Sequence, residues 1–391
     1  MTADGGRDSP QTAPPSAAVP RAEPAPPLFR RRRIPHMQEA GLVLVIALIM
    51  VFLTVASEPV TVRGQTVNNF FRVDNLLPNV ATPMSWMAIM AIGVTFVIIA
   101  GGIDISVGSI FGLSALGAAA VLQRFPETAS AWTVIPLAVV VPLGIGLGCG
   151  VLNGLLVVGL RIHPFIVTLG TMSIFRGIGL VSVATKSLPS GDRSLPLAFT
   201  KDFVSYEITY GPLEWMKLQP VPMLIMLVCV IAAWIYLSQT AAGRQIYAVG
   251  GNEEAARFAG VPVGRVRLRV FALSGLAAGI AGMVSAGYYA SANTATGEGY
   301  ELTVIAAAVV GGASLVGGRG SALGAMLGAL VIKLIENGID ILKHIDFGLF
   351  TLPVSKEYSK IIIGVAIVVA VAIDRASEYF QSERLARIGR K

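Results

Sequence analysis

The sequence predicts an all-α fold, a polytopic membrane protein of about ten transmembrane helices, and three observations carry that prediction. Of its 391 residues, 54% are hydrophobic and only 14% are charged, against about 25% charged in soluble domains. The apolar residues fall into blocks of about twenty, the length a helix needs to cross a bilayer core of about 30 Å. Glycine is abundant, with 43 residues, and inside those blocks it recurs at four-residue spacing, which lets membrane helices approach closely.

The first 37 residues are rich in Pro, Ala and charge and carry Arg30, Arg31, Arg32 and Arg33. Lacking apolar periodicity, they are expected to be a disordered tail. The block at 38–57 has no small-residue cleavage pattern after it and reads as a retained span. Further spans are expected at 81–100, 103–123, 133–159, 164–183, 221–238, 267–290, 302–317, 321–342 and 358–374. The stretch 302–317 is short and glycine-rich, so a re-entrant segment is a second reading for it. Residues 38–375 then make one transmembrane domain, with 376–391 a C-terminal tail.

Lys and Arg orient these spans. Arg244, Arg257, Arg265, Arg267 and Arg269 cluster around the segment 239–266, which an even number of spans separates from the N-terminal Arg cluster. Arg375, Arg384, Arg387, Arg390 and Lys391 follow the last span. Both termini and the 239–266 loop are therefore expected in the cytoplasm. The net charge of +7 flanks the spans instead of forming a stripe with interleaved aromatics, which argues against a nucleic-acid partner.

An internal echo suggests two related five-helix halves. Gly101-Gly102 precede Ser109-Ile110-Phe111-Gly112, and Gly311-Gly312 precede Ser321-Ala322-Leu323-Gly324, each pair between closely spaced apolar runs. Glycine interruptions at corresponding places in two halves point to a substrate pathway; chance similarity between glycine-rich segments is the competing reading. Gly146, Gly150 and Gly154, and likewise Gly320, Gly324 and Gly328, predict packing seams.

Enzymatic chemistry finds no support. The three histidines are scattered and the Gly-Lys pair of a Walker A loop is absent, so no catalytic residue, metal site or cofactor is expected in this chain. Cys149 and Cys229 lie inside apolar runs and read as packing residues. The ionisable groups at membrane depth are Asp104, Arg176, Lys333 and Glu336. Lys333 and Glu336 are three apart and can neutralise each other. Asp104, followed by Ser106, either caps the third span or lines a polar cavity. Asn153 and Asn293 are either interhelical glue or substrate contacts. Asp104, Ser106, Asn153 and Asn293 are thus the candidates for the substrate pathway.

Between the sixth and seventh spans, Asn252 can cap a short helix, Glu253 and Glu254 suit its first turn, and Gly260 with Pro262 would stop it. It is either an interfacial loop or a docking helix for a soluble partner.

That segment, 243–262, together with Ile98–Gly108, Leu152–Leu156, Pro164–Thr171 and Ala307–Ser314, resembles the permease subunits of bacterial ABC importers for monosaccharides of the ribose, xylose and galactose type, within the branched-chain amino acid permease superfamily. The likeness runs in order from about residue 38 to 375, and only the extended N-terminal tail departs from it. The resemblance implies a bacterial inner-membrane protein that forms the translocation pathway for a monosaccharide or related polyol. It implies three protein partners: a second permease copy, a separate ATP-binding cassette ATPase and a periplasmic sugar-binding protein. Gly250, Asn252, Glu253, Glu254, Ala255, Ala256 and Gly260 would then form the coupling contact with the ATPase. A branched-chain amino acid ABC permease and an ion-coupled secondary transporter are the alternatives.

Overall fold

The computed structural model describes residues 37–366 apart from Arg63, 211–212, 343, 347–350 and 354–356, together with 368, 369 and 372. The expectations for the N-terminal tail up to residue 36 and for 376–391 lie outside these residues.

The described chain is a helical membrane bundle. Seven helices are long and apolar enough to cross a bilayer: α1 (Met37–Ala56), α2 (Val73–Ile99), α4 (Ala131–Leu160), α5 (Pro164–Ser182), α6 (Pro220–Gln239), α9 (Val263–Tyr289) and α11 (Ala322–Ile341). Two apolar helices are shorter, α3 (Val107–Leu122) and α10 (Tyr300–Val310). Between α6 and α9 lie α7 (Ala241–Gly251) and α8 (Glu253–Phe258). Residues 358–366 are helical where the tenth span is expected. Outside the helices the described residues form only two-stranded antiparallel pairs.

Two expectations need correcting. The third span does not begin at 103: residues 103–106 are non-helical, and α3 starts at Val107. The stretch 302–317 is not a span: α10 has 11 residues, about 16 Å at 1.5 Å per residue, and a chain of turns covers 311–320. Glycine at 311, 312, 317, 318 and 320 is what stops the helix.

α2 forms the axis of the bundle. It is apolar on every side, and Thr82–Ile99 are all buried, as expected of a helix surrounded by others. α9, α11, α6 and α10 pack on it, α3 and α4 pack on α9, α5 packs on α3, and α1 covers α11 from outside. α1 is mostly exposed, touching the bundle through Ile46 and Leu53 against Val331 and Leu334.

Both predicted glycine seams exist, one with a correction. A Cβ on Gly146 would run into the carbonyl oxygen of Gly275, and one on Gly150 into that of Phe271, so α4 and α9 meet backbone to backbone. Gly324 and Gly328 bring α11 onto Gly311 and Ala307 of the α10 end. Gly320, the third member of that ladder, lies outside α11 and faces Ile99.

The internal echo has a backbone counterpart. At the end of α2, Gly101 (φ +80°) donates to Ile98 O and Gly102 to Val97 O, both at 2.9 Å. At the end of α10, Gly312 (φ +95°) donates to Val309 O at 2.8 Å and Ala313 to Ala308 O at 2.9 Å. These are the same Schellman closure, which needs a left-handed residue and therefore favours glycine. The equivalent positions are Gly101 and Gly312, one residue offset from pairing Gly101 with Gly311. The two breaks also touch: Gly318 N donates to Ile99 O at 2.8 Å. Gly250 of α7 is wedged between them, where a Cβ would collide with Ile99 O and come within 2.7 Å of Gly318 N.

Candidate functional site

The first cluster of predicted residues gathers at the α2–α3 break. Asp104 is fully buried; its Oδ1 accepts from Ser106 N at 3.0 Å and Ser106 Oγ at 2.6 Å, and its Oδ2 accepts from Ser274 Oγ of α9 at 2.8 Å. Asn153 Nδ2 of α4 donates to Ser106 Oγ at 2.7 Å. Thr168 Oγ1 of α5 accepts from Ile105 N at 3.2 Å. Three helices, α4, α5 and α9, thus converge on four non-helical residues whose backbone groups would otherwise be unpaired in the membrane. Asp104, Ser106 and Asn153 are joined; Asn293 is not part of this set. Ser274 and Thr168 escaped the sequence reading because a lone hydroxyl in an apolar helix looks like any other small polar residue.

The second cluster is the α7–α8 loop. Asn252 caps α8, its Oδ1 accepting from Ala255 N at 2.9 Å. Gly260 N donates to Arg257 O and Val261 N to Ala256 O, closing the C-terminus after six residues. Ala256 faces inward, and Gly250 is spent on the wedge described above. Glu253 bonds Arg257 at 2.9 Å within α8, and its other oxygen bonds Arg267 of α9, so it is an internal brace. Glu254 is exposed and makes no ion pair or hydrogen bond among the described residues. Phe258, one turn further on, is 91% exposed. With Ala255 these two side chains make the outward face of α8. A Phe four residues after a Glu in a short capped helix was the readable signal for this face; that both are exposed only the structure shows.

The third cluster surrounds the connection from α9 to α10. Arg176 of α5 bonds Glu301 Oε1 at 3.1 Å and donates to Thr296 O at 2.8 Å. Two cavities of about 660 and 410 Å³ flank this connection and share Glu298. Asn293 sits in a turn here, its Oδ1 accepting from Thr296 Oγ1 at 3.3 Å, and its strand pairs with Ser187–Leu188. Lys333 and Glu336 pair with each other at 2.7 Å, as expected.

Residues 76–371 match the family described as branched-chain amino acid transport system / permease component. The chain belongs to that permease family. Among the permeases it resembles are the ribose import permease proteins of Escherichia coli K12, 35% identical over 79% of this chain and 88% of the relative, and of Bacillus subtilis, 35% identical over 77% and 84%. The D-allose transport system permease protein of E. coli K12 is 33% identical over 81% and 88%. No solved structure matches the chain. The matched stretch contains all three clusters, so the permease fold itself, and not the N-terminal tail, holds every candidate residue.

Proposed function

We propose that the chain forms the translocation pathway of an ATP-binding cassette importer for a monosaccharide or related polyol. Its carrying observation is the one-third identity to ribose and allose import permeases along nearly their whole length. On this reading the chain sits in a bacterial inner membrane with both termini cytoplasmic. It works as a pair of copies, takes solute from a periplasmic sugar-binding protein and is driven by an ATPase on a separate chain. ATP-induced movement of that ATPase would shift the permease between two access states through differential contacts.

Gly250, Asn252, Glu253, Glu254, Ala255, Ala256 and Gly260 divide into two roles on this reading. Glu254 and Ala255, joined by Phe258, would touch the ATPase, while Asn252, Glu253, Ala256, Gly250 and Gly260 hold α8 in place. Ion coupling is less well supported, because Asp104 is bonded to Ser106 and Ser274, and Glu336 to Lys333.

The test is ATP-driven uptake of D-ribose and D-allose in vesicles containing permease, ATPase and binding protein. Glu254→Arg with Phe258→Ala should reduce ATPase co-purification and uptake at least about tenfold, since interface aromatics carry about 2 kcal/mol or more. Glu253→Gln should instead lower stability. If the double variant retained full ATPase association and uptake, the docking assignment would be wrong.

A further inference from the structure

The connection between α9 and α10 is polar, and it is held by a charge carried on the membrane-spanning α5. Arg176 lies 12 residues into the 19-residue α5, about 18 Å from one end and 9 Å from the other. A charge at that depth faces protein or a water-filled cavity. The guanidinium is committed to Glu301 and to Thr296 O, and this pins the connection to α5. On the opposite side the connection lies against bare backbone: a Cβ on Gly112 would collide with Thr296 O, and one on Gly108 would come within 2.6 Å of Gly297 O. Residues 294–298 are therefore held rigidly.

What this rigid turn presents is Glu298. Its carboxylate is exposed, has no hydrogen bond or ion pair among the described residues, and lines both cavities. The smaller cavity adds Asn293, Ser291 and the rings of Tyr289 and Tyr300; the larger adds Ser173 and Thr294. Acceptors and hydroxyls beside aromatic faces suit a solute with hydroxyls on its edges and C–H groups on its faces. Among the described lining residues Arg176 is the one cation and is already bonded, and Lys360, whose charge reaches Glu298 from outside the lining, is paired with Glu357 at 2.8 Å, so a solute carboxylate finds no unpaired cation in the lining.

Resting on the permease reading, we infer that Glu298, Asn293 and Ser173 line a water-filled station of the pathway that contacts a neutral, polyhydroxylated, monosaccharide-sized solute. The charge pair of Arg176 and Glu301, which also lines the larger cavity, holds the station in place.

Ser173→Cys and Asn293→Cys, each introduced singly into the full-length chain carrying Cys149→Ala and Cys229→Ala in membrane vesicles, test this with a membrane-impermeant sulfonated thiosulfonate. Both are expected to react at least about tenfold faster than Val228→Cys on the exposed face of α6, and saturating D-ribose or D-allose, but not L-leucine, should slow the reaction. Separately, Glu298→Gln should lower ATP-driven uptake about tenfold while leaving ATPase co-purification unchanged. Failure of both cysteines to react, reaction without protection by either monosaccharide, or unaltered uptake by Glu298→Gln would each overturn the inference. Wild-type uptake, measured in the same vesicles, tests the permease reading independently of these results.

Discussion

Asp104 carries three hydrogen bonds with no exposure to solvent, and an acceptor so committed is a structural clamp. Removing it leaves Ser106 and Ser274 donors unpaired, at about 1–3 kcal/mol for each buried group. Asp104→Val should therefore lower the thermal midpoint of the purified permease far more than Ser274→Ala, which removes a single bond. Equal effects would mean the bonds from Ser106 contribute little. The position of Asp104 beside a glycine break was visible in the sequence, because Asp and Ser next to glycine are capping chemistry. Its partners were not, since Ser274 lies 170 residues away and only the packing of α9 brings it there. Glu253 shows the converse. Its place in the first turn of a capped helix was legible, but its bond to Arg267, which ties α8 to α9, was not.

At the level of helices, the α4–α9 seam makes a comparison within one helix possible. Gly146→Ala and Gly150→Ala force a methyl into the backbone of α9 and should destabilise by about 1–3 kcal/mol or more. Gly144 and Gly148, with nothing within 4 Å, should accept Ala and gain up to about 1 kcal/mol of helix propensity. Thermal unfolding of the four variants in detergent would check this; a uniform response would remove the seam from the packing account. Periodicity located this seam because the spacing and the contact obey the same helical geometry. It misplaced Gly320, whose φ of +148° belongs to a turn that residue spacing does not encode. Span length was similarly deceptive: α10 and the turns after it form one apolar, glycine-rich run, and hydropathy does not distinguish a half-length helix followed by buried turns from a full span.

Across the whole molecule, the two helix breaks and the α7–α8 loop meet at Gly250. On the docking reading, Gly250→Ala displaces the end of α7 from Ile99 and Gly318 while leaving the residues of the exposed α8 face in place, so it should lose most ATP-driven uptake and a smaller share of ATPase co-purification. The check is the ratio of uptake to ATPase co-purification, and a normal ratio would mean the three elements need not stay in contact. The relation between the breaks was partly legible, as paired glycines after two apolar runs. Their physical contact was not, because nothing in either segment encodes the other as its neighbour.

The wedge at Gly250 has a mechanical reading. Where side chains meet, a displacement is partly absorbed as rotamers change, whereas backbone against backbone has no rotamers to yield. Any thrust delivered to the end of α7 is therefore handed to Ile99 and Gly318 together. Such a joint has no backlash, and the segments it connects are constrained to move in step.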